Sequence, residues 1–165
     1  MSDQTSDSAT PLIFSADPWS EPTAIEVPTG VTVVQLTRAG VSMDDLNDVF
    51  DSGFSLLAAL GPIGPGYARY DGEVDENTTF DVTLGFPVAQ VPDDLPEGVV
   101  AGEFPSGRML ALSHLGSFDD LPSAWEGLMT RPETADAPYV IELYVTDPSV
   151  VAVEQLRTDL LVPLA

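Results

Sequence analysis

Hydrophobic and polar positions change rhythm several times along the chain, and each change marks an element. Residues 30–37, Gly-Val-Thr-Val-Val-Gln-Leu-Thr, are rich in β-branched side chains and predict a strand. The apolar positions then shift to helical spacing at Leu46, Val49, Phe50, Phe54, Leu57 and Leu60. Ser42 is placed to cap that helix, Asp44 and Asp45 suit the positive end of its dipole, and Gly61-Pro62 stops it. Residues 67–71 predict a short strand and residues 75–77 a turn. Phe80, Val82, Leu84, Phe86 and Val88 then alternate along a half-buried antiparallel strand. Pro87 lacks an amide donor and belongs at a strand end or on an edge.

Residues 89–97, with three acids and two prolines, read as a solvated connector. Strand, tight turn and strand are predicted over residues 99–104, 105–107 and 108–114. Ser117 caps a short helix whose apolar face is Leu121, Trp125 and Leu128; Pro122 falls within its first turn, where the missing amide does no harm. After a polar loop over residues 130–138, residues 139–146 alternate again. Tyr139, Ile141, Leu143 and Val145 share one side; Val140, Glu142, Tyr144 and Thr146 share the other. Asp147-Pro148 breaks this strand, and an apolar segment at residues 160–164 closes the chain.

The second half repeats the first. Thr37-Arg-Ala-Gly40 corresponds to Ser113-His-Leu-Gly116 and Leu84-Gly-Phe-Pro-Val88 to Leu160-Leu-Val-Pro-Leu164, both at an offset of 76, with Asp44-Asp-Leu46 and Asp119-Asp-Leu121 at 75. Between these anchors residues 67–71 align with 139–143, which sets Tyr70 opposite Glu142. Each half, about 30–88 and 107–164, reads strand, helix, strand, strand. One such unit cannot bury both faces of its sheet, so two should pack as a pseudo-symmetric pair. The expected fold is α+β, an antiparallel sheet with its helices on one face and a concave ligand cleft on the other.

Composition narrows the function. The length of 165 residues suits one domain, and 44% apolar residues suit a globular one. Residues 1 to about 22, rich in Ser, Thr, Asp and Pro, predict a mostly disordered acidic tail, with the apolar island Leu12-Ile13-Phe14, followed by Trp19, as the point that would tack it down. Five basic residues against 27 acidic give a net charge of −22, which argues against direct contact with nucleic acid or an anionic membrane. There is no cysteine, hence no disulfide, thiolate metal site or cysteine nucleophile. No apolar run is long enough to span a bilayer and the N-terminus is unlike a secretory signal, so a cytoplasmic location is the expectation. No metal-ligand or phosphate-loop spacing appears, and no cofactor is implied.

Glu142 is the residue that asks for an explanation. An ionised carboxylate in a sheet is costly unless a charge or hydrogen bond meets it. The chain offers five arginines, no lysine and one histidine, so a ligand is a candidate partner beside the alternatives of a solvated face or of tyrosine hydroxyls. Tyr70, Tyr144 and Trp125 are expected near it, and aromatic walls around one acid suit a flat or lipophilic cation.

In the order and spacing of Gly64-Pro-Gly-Tyr-Ala-Arg-Tyr70, Phe104-Pro-Ser-Gly107, Ser113-His-Leu-Gly-Ser-Phe118 with Trp125, and Glu142-Leu-Tyr144, the chain resembles the GyrI-like small-molecule-binding domain. This is the effector-binding domain of AraC-type and MerR-type bacterial regulators. The resemblance runs over roughly residues 24–164. It implies a duplicated (SHS2-type) fold, a central cleft, and a glutamate, here Glu142, that meets cationic lipophilic ligands. Tyr67, Tyr70, Trp125 and Tyr144 are similar to the aromatics lining that cleft, and His114 to a histidine with a structural role before the helix.

Three functions follow as expectations. The first is a stand-alone module, monomeric or homodimeric and without a DNA-binding part, that senses or sequesters a lipophilic, cationic or aromatic compound. The second is a hydrolase of reactive electrophiles, with Glu142 as general base and Tyr70 or Tyr144 orienting water. The third, prompted by the charge, is an acidic inhibitor of a basic protein such as a topoisomerase.

Overall fold

The computed structural model describes residues 12–71, 79–146 and 151–164, so the turn expected at residues 75–77 and the break at Asp147-Pro148 lie outside it. Eight strands form one antiparallel sheet: β1 (Thr23–Val27), β2 (Thr32–Val41), β3 (Tyr67–Asp71), β4 (Phe80–Pro87), β5 (Val99–Glu103), β6 (Gly107–Leu115), β7 (Tyr139–Tyr144) and β8 (Arg157–Pro163). Their spatial order is β1-β6-β8-β7-β3-β4-β2-β5. Two helices, α1 (Leu46–Ala58) and α2 (Leu121–Met129), are each entered through a short 3-10 turn. Ser42 and Ser117 begin those turns as expected: Asp45 accepts from the Ser42 amide and hydroxyl, and Ser117 Oγ accepts from the Asp119 amide.

The duplication is written into the ladder registers. Thr37 faces Thr83 in the β2–β4 pair and Ser113 faces Asp159 in β6–β8, so both partners advance by 76. The halves join at β3–β7, in the middle of the sheet. There the register corrects the sequence alignment. Gly85 pairs with Tyr67 and its counterpart Leu161 pairs with Ile141, an offset of 74 rather than 72. Tyr70 is therefore the equivalent of Tyr144, and Ala68 the equivalent of Glu142. Ala68 and Glu142 face each other across the ladder, on the pseudo-twofold axis itself.

The strand-turn-strand reading of residues 99–114 does not survive as a hairpin. β5 pairs with β2 at one edge of the sheet, and β6 pairs with β1 near the other. The connection carries Phe104, which is 1% exposed and gives its amide to the Val31 carbonyl at 2.9 Å, holding the end of β5 against the first half. Each half thus receives an edge strand from the segment that precedes the other half, so the two halves are linked at both edges of the sheet.

Side chains alternate between two covered faces. Val34, Leu36, Val82 and Leu84 pack under α1, and Leu110, Leu160 and Val162 under α2. The rear face carries Val33, Met109, Ile141, Leu143 and Leu161 and is closed by Leu12, Phe14, Trp19 and Phe104. Residues 12–22 therefore belong to the folded domain, against the expectation of a disordered tail to residue 22; their apolar islands complete a core that the helices cannot reach. Residues 1–11 lie outside the described chain. Trp19 is bound to β6, accepting from the Ser113 amide at 3.0 Å and donating its own amide to Ser113 Oγ at 2.9 Å.

Arg157 and Asp159 are 8% and 0% exposed and form a two-pronged ion pair at 2.9 and 3.0 Å. Arg157 also donates to the Ser15 and Ala16 carbonyls, stapling the N-terminal segment down. Tyr67 lies flat across Gly85, where an added Cβ would stand 2.5 Å from its ring. Gly85→Ala is expected to destabilise the fold by about 1–3 kcal/mol through overpacking, read as a lower urea midpoint; an unchanged midpoint would mean that Tyr67 is free to move.

Candidate functional site

Parity fixes where the candidate residues go. On β7, Val140, Glu142 and Tyr144 point one way, and Val140 packs against both helix-side clusters, so this is the helix face. Glu142 accordingly stands in the groove between α1 and α2, not on the opposite face where the sequence placed the cleft. The opposite face is occupied by residues 12–19 and Phe104. On β3, Tyr70 shares the side of Glu142. Tyr67, three residues earlier, cannot: it is 1% exposed on the rear face, packed edge-on against Phe104 and donating its hydroxyl to Gln35 at 3.0 Å. Tyr67 is therefore not part of this site.

Glu142 is 7% exposed, and all its described partners are neutral donors. Oε1 accepts from the Tyr70 hydroxyl at 3.0 Å and the Tyr144 hydroxyl at 2.6 Å; Oε2 accepts from the Trp125 indole nitrogen at 2.7 Å. No arginine forms an ion pair with it; the described pairs join Arg69 to Asp71, Arg131 to Glu133 and Arg157 to Asp159. The pseudo-equivalent tyrosines thus grip one oxygen from either side of the axis. Hydrogen bonds to a charged group are each worth about 1.5–3 kcal/mol, enough to hold a buried carboxylate without a counter-ion.

The walls are aromatic. Tyr144 meets Phe50, Phe54 and Phe118 edge-on at 6.1, 5.9 and 6.1 Å between ring centres. Phe54 continues the cluster to Phe86 at 5.5 Å. These phenylalanines did not stand out in the sequence as site residues, although the repeat held the signal: Phe50 lies 75 positions before Trp125, the offset of the helix anchors. Aromatic ring faces carry negative potential, so the cluster and Glu142 favour the same sign of guest.

Burial, and after it the charge of Glu142, holds the phenols of Tyr70 and Tyr144 well above their ordinary range. Such a group contributes stability that is fully present below its unfolded value of 10.0 and is lost as pH rises toward its folded value. Urea midpoints should therefore fall above pH 10, and Tyr70→Phe/Tyr144→Phe should make that alkaline decline shallower. An identical decline in wild type and double variant would place the titration elsewhere.

His114 is tied to the chain ahead of α2, its Nε2 lying 2.8 Å from the Ser117 carbonyl oxygen, a structural bond. Two open concavities lie away from this groove. One, of about 490 Å³, is bordered by Leu12, Phe14, Gly30, Ile63 and Val88; the other, of about 720 Å³, by Arg108, Pro132, Asp136, Tyr139 and Leu164. Neither brings together a buried charge and aromatic walls, so chemistry rather than volume marks the site. Among the described residues no group of His, Cys, Asp and Glu has metal-binding geometry, and no helix is long and apolar enough to cross a membrane.

The model of the GyrI-like small molecule binding domain family matches residues 23–165, and the chain belongs to that family. Among solved structures, the C-terminal domain of EcmrR has a TM-score of 0.69 at 13% identity, with 88% of this chain and 97% of that one covered. SAV2435, in a structure bound to tetraphenylphosphonium, has a TM-score of 0.66 at 11% identity, covering 88% and 94%. A hydrolase from Listeria innocua has a TM-score of 0.57 at 15% identity, covering 91% and 94%. At these identities the likeness is one of fold. Comparison with curated protein sequences returned no match.

Proposed function

We propose that the protein binds a lipophilic cation in the groove between α1 and α2, with Glu142 as the counter-charge. The observation that carries this reading is a buried carboxylate held by two phenols and an indole, with no basic side chain paired to it. The family description and the fold shared with a tetraphenylphosphonium-bound protein support it. Tyr144 and Trp125 hold the Glu142 oxygens through hydrogen bonds, so a guest that reaches the carboxylate displaces them. Binding therefore exchanges neutral hydrogen bonds for a desolvated charge pair plus cation–π contacts of about 0.5–2 kcal/mol each. Trp125 leaves its carboxylate in that exchange, so tetraphenylphosphonium should change tryptophan emission saturably. A titration with no change in emission and no heat would remove the reading.

Hydrolysis is the second reading, favoured by the shared fold of the Listeria innocua hydrolase. A general base needs a lone pair aimed at water, whereas three of the roughly four lone-pair sites of Glu142 are already taken by protein donors. That geometry suits a counter-charge better than a base.

A further inference from the structure

Thr158 is 1% exposed, and its hydroxyl has no hydrogen-bond partner. It lies on β8, where alternation puts it on the helix face with Leu160 and Val162, while Arg157 and Asp159 turn to the rear. Across the ladders it is flanked by Tyr144 on β7 and His114 on β6. Both neighbours are engaged elsewhere, His114 with the Ser117 carbonyl and Tyr144 with Glu142. An unpaired buried hydroxyl is destabilising, and valine has nearly the same shape without that penalty. Within the described fold the hydroxyl has nothing to bond.

We infer that Thr158 is a second polar contact of the ligand groove, donating its hydroxyl to an acceptor on the ligand. The inference rests on the reading of Glu142 as the cation site. In the β7–β8 register Glu142 faces Leu160 and Tyr144 faces Thr158, so Thr158 is the diagonal neighbour of Glu142, a position whose backbone spacing is about 7–8 Å. The Tyr144 side chain, reaching to the Glu142 carboxylate, stands in the row between them. A ligand that takes the place of the Tyr144 ring brings its charge to Glu142 and its far end to Thr158. The preferred class is thus an aromatic cation carrying a carbonyl or ether oxygen about 7 Å from its charged centre, rather than a purely hydrocarbon cation.

The test compares tetraphenylphosphonium with (4-carbamoylphenyl)triphenylphosphonium, whose carbonyl lies at about that distance, on wild type and Thr158→Val. Wild type should bind the carbamoyl compound about tenfold more tightly, the worth of one hydrogen bond. Thr158→Val should bring the two affinities together and leave that for tetraphenylphosphonium unchanged. It should also raise the ligand-free melting temperature by roughly 2–6 °C, because an orphan hydroxyl is gone. A carbamoyl preference that survives in Thr158→Val, or is missing from wild type while tetraphenylphosphonium binds, overturns the role of Thr158 alone. If neither compound binds wild type, the reading of Glu142 falls and takes this inference with it.

Discussion

Replacing Glu142 by glutamine is expected to weaken tetraphenylphosphonium binding by about 30- to 4000-fold while leaving the fold in place. The size follows from removing one member of a desolvated charge pair, which costs about 2–5 kcal/mol. The fold is spared for a reason visible in the hydrogen bonds. The amide oxygen of glutamine can accept from Trp125, while its NH2 group donates to Tyr70 and Tyr144, whose hydroxyls accept as readily as they donate. Unfolding free energies from urea titration should therefore agree to within about 1 kcal/mol. A glutamine variant that unfolds would show the carboxylate to be structural; one that binds the phosphonium unchanged would show the charge to be irrelevant.

The largest effect on stability is expected at the rear of the sheet. Arg157→Leu leaves Asp159, which is 0% exposed, with Ser113 Oγ as its remaining described side-chain partner, and it also strips the Ser15 and Ala16 carbonyls of their donor. Breaking a buried ion pair by removing one partner costs about 3–5 kcal/mol, so the melting temperature should drop by roughly 6–20 °C. Arg157→Leu/Asp159→Leu should recover much of that loss, because no unpaired charge remains buried. Phosphonium affinity should not change in either variant that stays folded, since the pair faces away from Glu142. If the single and double variants melt alike, the pair is not coupled in the way the geometry implies.

The sequence was legible where physics is local. Period-two alternation announced β7, serine and aspartate pairs announced both helix entries, and the 76-residue offset announced the duplication that the ladders then reproduce. It was illegible where the outcome depends on which distant segments pack together. Alternation sorts Glu142 and Ile141 onto opposite faces, but it does not say that α1 and α2 take the Glu142 side while residues 12–19 take the other. Turn chemistry at Pro105-Ser-Gly107 suggests a hairpin, whereas the Phe104 amide is held by the Val31 carbonyl of the first half and β1 claims the edge of β6. Tyr67 stands on the face opposite Tyr70 because three residues along a strand always change face. The 72-residue alignment of β3 with β7 is two residues out of register, because register is set by the strands each one pairs with and not by its own pattern. The corrected offset of 74 turns Tyr70 and Tyr144 into counterparts and leaves Ala68 facing the single acid.

That asymmetry explains how a symmetric frame holds one charge. A glutamate at both equivalent positions would place two carboxylates across one ladder pair, where like charges repel strongly once buried. Alanine at position 68 avoids the repulsion and lets both tyrosines serve the same oxygen.

The most direct measurement is the position of the phosphorus atom in a structure of the complex with tetraphenylphosphonium. The account predicts phosphorus within about 6 Å of the Glu142 carboxylate, between α1 and α2, with the Trp125 and Tyr144 hydrogen bonds to that carboxylate broken. Phosphonium seated instead in the concavity beside Leu12 and Val88, or in the one beside Arg108 and Tyr139, with the three hydrogen bonds to Glu142 intact, would contradict it.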